Sequence, residues 1–153
     1  MPPISKAFEA ISMAAVSTSA ADARRYLFLR PGDGVTMNRD RVLADAKARA
    51  GALAEDYAVP EVSEPSLPGP TAKVALRMAV DGFRRLGKAS DYDTVIAGAL
   101  ADVLSGGDTD ITETIDEDGL LDLERRAFMS LVKRPQTIAR IEHMLETGKP
   151  LRN

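Results

Sequence analysis

The chain has 153 residues, 44% of them apolar and 28% charged, with a formal net charge of −3. That length is the usual size of one domain able to bury a real core, and the mild acidity argues against nucleic acid as a partner. Cysteine is absent, which removes disulfides, thiol nucleophiles and Cys-based zinc sites together and fits the cytoplasm.

In chain order, "MPPISKAFEAISMAAVSTSAA" has one Lys and apolar positions broken by Ser, Glu and Lys, so it is read as a helix near residues 4–13 and not as a signal peptide. No apolar run reaches the roughly 18 residues of a membrane span. Ser19 stands three residues before Asp22, the spacing at which a hydroxyl and a carboxylate each satisfy a free backbone N–H, so a short helix is predicted to about Leu27. "RPGDG" is a turn, and Asn38 then caps a long helix whose apolar stripe is Val42, Ala46, Ala50, Leu53 and Tyr57.

"AVPEVSEPSLPGP", residues 58–70, is an extended connector, because proline removes backbone donors and restricts the residue before it. It divides the chain into an N-terminal helical half, 1–57, and a C-terminal helical half, 71–153, within one compact domain. Pro70 or Thr71 opens a helix carrying Ala75, Met78, Ala79, Phe83 and Leu86, which Gly87 stops. Ser90 and Asp93 repeat the capping spacing ahead of Val95, Ile96, Ala99, Leu100, Val103 and Leu104, and Gly106-Gly107 closes that helix. Thr114 and Glu117 give a third capping pair before Leu120, Leu123, Ala127, Phe128 and Leu131. Pro135 opens the last helix, with Ile138, Ile141 and Leu145 inward and Gly148 and Pro150 at its end. With no Trp and 5% aromatic residues, the core falls to Ala, Leu, Val, Ile and Met, and the expected fold class is all-α, a helical domain of about five to six helices.

The residues that could carry chemistry do not form a catalytic or metal-binding set. Gly32-x-Gly34 lacks the third glycine of a dinucleotide loop, which would fall at Met37, and no sheet pattern surrounds it; a plain turn is the reading. Asp108, Asp110 and Thr112 alternate as calcium ligands do, but an EF-hand loop needs glycine at Glu113 and glutamate at Gly119. His143 is the sole histidine and has no carboxylate motif beside it. Glu124 is the carboxylate placed to be partly buried, paired with Arg125, Arg126 or a neighbouring helix.

The order of segments carries a resemblance. "LLDLERRAFMSLVKRPQTIARIEHMLETGKPLRN" resembles the C-terminal end of crotonase-fold proteins, the enoyl-CoA hydratase/isomerase superfamily. "FLRPGDGVTMNRDRVLADAKARAGALAEDY", "LPGPTAKVALRMAV" and "LSGGDTDITETIDEDGLLDLERRAFMSLV" are similar to the C-terminal region of long bacterial 3-hydroxyacyl-CoA dehydrogenases of fatty-acid β-oxidation, and the likeness covers nearly the whole chain. It implies the helical C-terminal part of a crotonase domain, without the glycine-rich dinucleotide turn and without the half that supplies oxyanion-hole donors. Such a fragment would cover the acyl-CoA site or mediate oligomerisation and would not be catalytic alone. NAD and acyl-CoA would belong to the parent enzyme, with no cofactor held in this chain. The partners implied are the remainder of that enzyme, a neighbouring subunit or a second copy. The tail places Lys149 and Arg152 in the last five residues, and Lys149, at the position of the family's tail lysine, would approach the CoA phosphates. Thr147 and Met144 depart from the family's Lys and aromatic residue. The alternative reading is a free-standing helical protein-interaction module, with Lys149 only complementing the helix dipole.

Overall fold

Serine and aspartate caps, prolines and glycines fix most helix ends in the computed structural model, which describes residues 2–153. Among the described residues there are seven α-helices and no strand: α1 (Pro2–Ser12), α2 (Ala20–Arg25), α3 (Val42–Ala54), α4 (Gly69–Arg85), α5 (Asp91–Ser105), α6 (Glu117–Leu131) and α7 (Pro135–Thr147). The chain divides into two compact units, one formed by residues 2–14 and 63–153 and the other by 15–62. The boundaries differ from a division at the proline-rich stretch because α1 packs with the C-terminal helices: Phe8 is buried with Leu76, Val80, Ala97 and Ala101, and Ile4 lies against them.

In the first unit α5 is the central element. Its Tyr92, Ala97, Ala101 and Ser105 are buried, and nearly every other position is half-covered. Ser90 and Asp93 form the full reciprocal cap, the Ser90 hydroxyl accepting from the Asp93 N–H at 3.1 Å and the Asp93 carboxylate accepting from the Ser90 N–H at 2.8 Å. Gly106 ends the helix at φ +89°, and a Cβ there would lie 2.6 Å from Thr109 Oγ1 and 3.0 Å from Leu67, so both backbone and space exclude a larger residue. The small side chains of Ala97 and Ala101 leave room for Leu76 and Val80 of α4 and Phe8 of α1, each contributing about 1.5–3 kcal/mol of apolar burial.

The inward face of α4 is Ala72, Leu76 and Val80. Ala75, Met78, Ala79, Phe83 and Leu86, the expected stripe, all face solvent, with Met78 70% exposed. The apolar arc of the helix is broad, and the cations at its edge decide which part turns inward: Lys73 and Arg77, beside Val80, pair with Asp102 of α5, which brings the 72–76–80 line onto the core. The last helix is likewise rotated from expectation. Ile138, Ile141 and Leu145 are exposed, whereas Thr137, Ala139, Arg140 and His143 are half-buried, because Thr137 and Arg140 make polar contacts with the start of α5. The third capping pair is also corrected. Asp116 caps α6, accepting from the Gly119 N–H at 2.8 Å. Thr114 instead bridges Ser66 in antiparallel fashion and gives its hydroxyl to Glu64, and the Ile115 N–H reaches Pro65 O at 3.1 Å, which keeps the chain extended up to Asp116.

In the second unit Ser19 caps α2 by accepting from the Asp22 N–H at 3.1 Å, while the Asp22 carboxylate accepts from Thr18 N–H rather than closing the box on Ser19. Tyr26 and Phe28 stack at 5.4 Å between ring centroids. Asn38 caps a single 3-10 turn, Arg39–Arg41, which leads directly into α3. α3 buries no residue: Val42, Ala46, Ala50, Leu53 and, beyond its end, Tyr57 are all exposed.

Candidate functional site

The surface features that could serve recognition cluster on α4 to α7. Gly148 ends α7, and the tail turns back so that Leu151 is half-buried and Asn153 meets the helix again. Arg140 is the pin. Its Nε donates to Asn153 Oδ1 at 2.7 Å, its Nη1 to Asp93 Oδ1 at 2.8 Å, and its guanidinium lies 5.2 Å over the Tyr92 ring. Asn153 Nδ2 donates to Gln136 O at 3.1 Å, completing the clasp. Tyr92 OH and Thr137 Oγ1 are 2.5 Å apart, so a second polar contact joins α7 to α5. Burial pushes the Asp93 carboxyl up, but the Ser90 backbone N–H and the Arg140 guanidinium outweigh it and hold that group below its ordinary range. One arginine thus ties the last helix, the tail and the N-terminus of α5 together.

Two concave surfaces flank this pin. An apolar groove of about 330 Å³ runs between α5, α6 and α7, floored by Ile96 and Leu131 and edged by Phe128, Ile141, Met144 and Leu145. Arg140 closes one end of it with its charge already matched by Asp93. A polar cleft of about 430 Å³ lies between α4, α5 and the α6–α7 corner, floored by Val95, Gly98 and Ala99 and carrying Arg77, Asp81, Asp102 and Arg134. Asp102 Oδ1 is shut off from solvent and faces the Lys73 ammonium; its Oδ2 meets Arg77 Nη2 at 3.4 Å.

The residues singled out in the sequence lie apart from these surfaces. Lys149 and Arg152 are exposed, and the Lys149 backbone N–H donates to Thr147 Oγ1 at 3.2 Å, so the tail lysine stands on a fixed backbone with its head in water. Glu124 is exposed, not partly buried, and Arg125 pairs with Asp122 at 3.9 Å instead; the apolar line of α6 that meets α5 is Leu120, Leu123, Ala127 and Leu131, which leaves Glu124 outside it. Gly32 and Gly34 sit in an exposed turn in which the Arg30 N–H donates to Asp33 Oδ2 at 2.7 Å. In the acidic loop Asp110 accepts from the Thr112 N–H and hydroxyl at 2.9 and 2.8 Å, bonds that lower its pKa, so its carboxylate is spent on the loop itself. His143 is half-buried on α7. Among the described residues no group of three or more His, Cys, Asp or Glu side chains is arranged to hold a metal ion, and no helix is long and apolar enough to cross a membrane.

Sequence reasoning missed Arg140, Arg77 and Arg134. The signal available for Arg77 is that Lys73, Arg77 and Arg84 recur along one side of α4 at helical spacing. Nothing local links Arg140 to Asp93, 47 positions away.

Fold and surface define an all-helical protein among the described residues, with a polar cleft and an apolar groove on its first unit. In sequence, the chain is 41% identical over 149 residues to a "Probable 3-hydroxyacyl-CoA dehydrogenase" of Bacillus subtilis (strain 168). That alignment takes in 97% of this chain and 19% of the relative, so the chain spans about a fifth of the length of the curated relative it matches. The likeness is to the 3-hydroxyacyl-CoA dehydrogenases. No family model matches the chain, and no solved structure matches it.

Proposed function

We propose that this chain is a helical C-terminal portion of a 3-hydroxyacyl-CoA dehydrogenase/enoyl-CoA hydratase of fatty-acid β-oxidation, where it covers the acyl-CoA site or holds subunits together and contributes no catalytic group. The observation that carries the reading is the 41% identity along 97% of the chain to a segment of a much longer dehydrogenase. The surface supports it: α4 exposes Met78, Phe83 and Leu86, and the groove beside α7 is lined by aliphatic and aromatic side chains, faces suited to packing on the rest of a larger enzyme. NAD and the acyl-CoA substrate belong to that larger enzyme.

The test uses the Bacillus subtilis relative. Deleting its matching 149-residue segment should abolish or strongly reduce NAD-dependent oxidation of a 3-hydroxyacyl-CoA, or change its oligomeric state by sedimentation, and this chain supplied separately should show no turnover alone. A truncated relative with unchanged activity and unchanged assembly overturns the reading. Lys149 is proposed to reach a CoA phosphate from the clasped tail. As a flexible point charge in a wet contact it is worth roughly 1–2 kcal/mol, so Lys149→Ala in the full-length enzyme should raise KM about 5- to 30-fold at low salt and leave kcat nearly unchanged. The second reading, a free-standing interaction module, draws on the unfilled groove at α7. A dehydrogenase reading frame continuous with this chain excludes it.

A further inference from the structure

We propose that the cleft between α4, α5 and the α6–α7 corner is an anion site in which Arg77 and Arg134 take a phosphate group. The site is concave, about 430 Å³, a size that suits a small ligand. Its floor at Gly98 and Ala99 carries almost no side chain, so the space above α5 is left open rather than packed. Arg134 enters from the α6–α7 corner, and among the described residues its guanidinium has no hydrogen bond or ion pair. Arg77 enters from α4 and is held only by the 3.4 Å contact to Asp102 Oδ2. That carboxylate already has a partner in Lys73, so engaging Arg77 elsewhere leaves no buried charge unmatched.

The local balance favours an anion. The lining carries Arg77 and Arg134 against Asp81 and Asp102, and because Lys73, outside the lining, already matches Asp102, the two arginines face only Asp81 as an uncommitted carboxylate. The chain as a whole carries −3, so its overall field repels anions and binding has to come from the local pair. Arginine suits the task because its planar fork offers paired N–H donors to phosphate oxygens. The nearby hydroxyls do not help: Thr94 Oγ1 donates to Asp91 O at 2.6 Å and Ser130 Oγ to Ala127 O at 2.8 Å, so their protons are spent within their own helices. The ligand therefore depends on both guanidinium groups, and the proposal stands independently of the dehydrogenase reading.

The experiment is a titration of the full chain with inorganic phosphate at low ionic strength, followed by backbone amide NMR. Saturable shifts at Gly98, Ala99 and the Ser130–Arg134 turn are expected, with affinity reduced about tenfold or more by Arg134→Gln and by Arg77→Gln and unchanged by Lys47→Gln, an exposed lysine of α3. Arg134→Gln breaks no contact of the fold, so it remains decisive if Arg77→Gln lowers stability. ADP and CoA are then compared with phosphate: tighter binding that is lost in the same arginine variants identifies a nucleotide phosphoryl group, and equal or weaker binding identifies free phosphate. The proposal is overturned by the absence of saturable shifts, by shifts that survive both arginine substitutions, or by shifts confined to the Lys149–Arg152 tail.

Discussion

α3 and α5 are of similar length and both rich in alanine, yet α5 is covered on almost every side while α3 buries nothing. The difference does not come from propensity, since alanine and leucine favour a helix in both. It comes from what stands opposite. Ala97 and Ala101 of α5 meet Leu76, Val80 and Phe8, whereas the alanines of α3 meet water. An apolar stripe therefore states that a helix can pack, and only a partner turns that capacity into stability.

The contrast breaks most visibly under core truncation. Leu76→Ala removes a side chain that is 5% exposed and should cost about 2–5 kcal/mol, read as a lowered urea midpoint with an unchanged slope. A cost below about 1 kcal/mol would mean that α4 and α5 are packed no better than α3. Next in size is Gly106→Ala, which forces a Cβ into the left-handed region and against Thr109 Oγ1. A loss of about 1–3 kcal/mol in thermal unfolding is expected, with the Thr109→Ala background relieving the steric part only.

Arg140→Ala follows, at about 1–3 kcal/mol, because it strands the Asp93 carboxylate, about three-quarters buried, and frees Asn153. Amide exchange should quicken at Leu151 to Asn153 in that variant, and unchanged protection there would deny the clasp. The same pair fixes a pH dependence. Asp93 titrates below its ordinary value of 3.8 in the folded chain, so its contribution is fully present above that value and is lost as pH falls through the lower folded one. Acid unfolding below about pH 4 should become shallower in Asp93→Asn. The smallest effect belongs to α3: Leu43→Ala, at a position 81% exposed, should change stability by no more than about 0.5 kcal/mol. A larger loss would mean that α3 is covered in solution, and concentration-dependent unfolding would then point to a second copy.

Little of the candidate site was legible in sequence. Lys149 was visible as a tail cation, but Arg77 and Arg140 take their meaning from Asp102 and Asp93 on another helix, contacts that span 25 and 47 positions, and Arg134 takes its meaning from the cleft it lines. Glu124 shows the converse error: a carboxylate inside an apolar stretch was expected to be partly buried, and it lies on the solvent side because α6 turns Leu120, Leu123 and Ala127 toward α5.

The sequence by itself determined the helical class and most helix ends. A serine hydroxyl at Ser90 or Ser19, a ring at Pro135 and a missing Cβ at Gly106 and Gly148 act on backbone groups within a few residues, and that range is written locally. The tertiary structure alone decided which face of α4 and α7 turned inward, why Asp116 and not Thr114 caps α6, and that α1 joins the C-terminal helices. Each of those outcomes depends on a partner far along the chain, Asp102 for α4, Asp93 for α7, Ser66 and Pro65 for Thr114 and Ile115, and Leu76 and Val80 for Phe8. An apolar pattern marks a broad arc of a helix and not its inward line, so the residues that bury are those whose neighbouring polar and charged groups find partners on another helix.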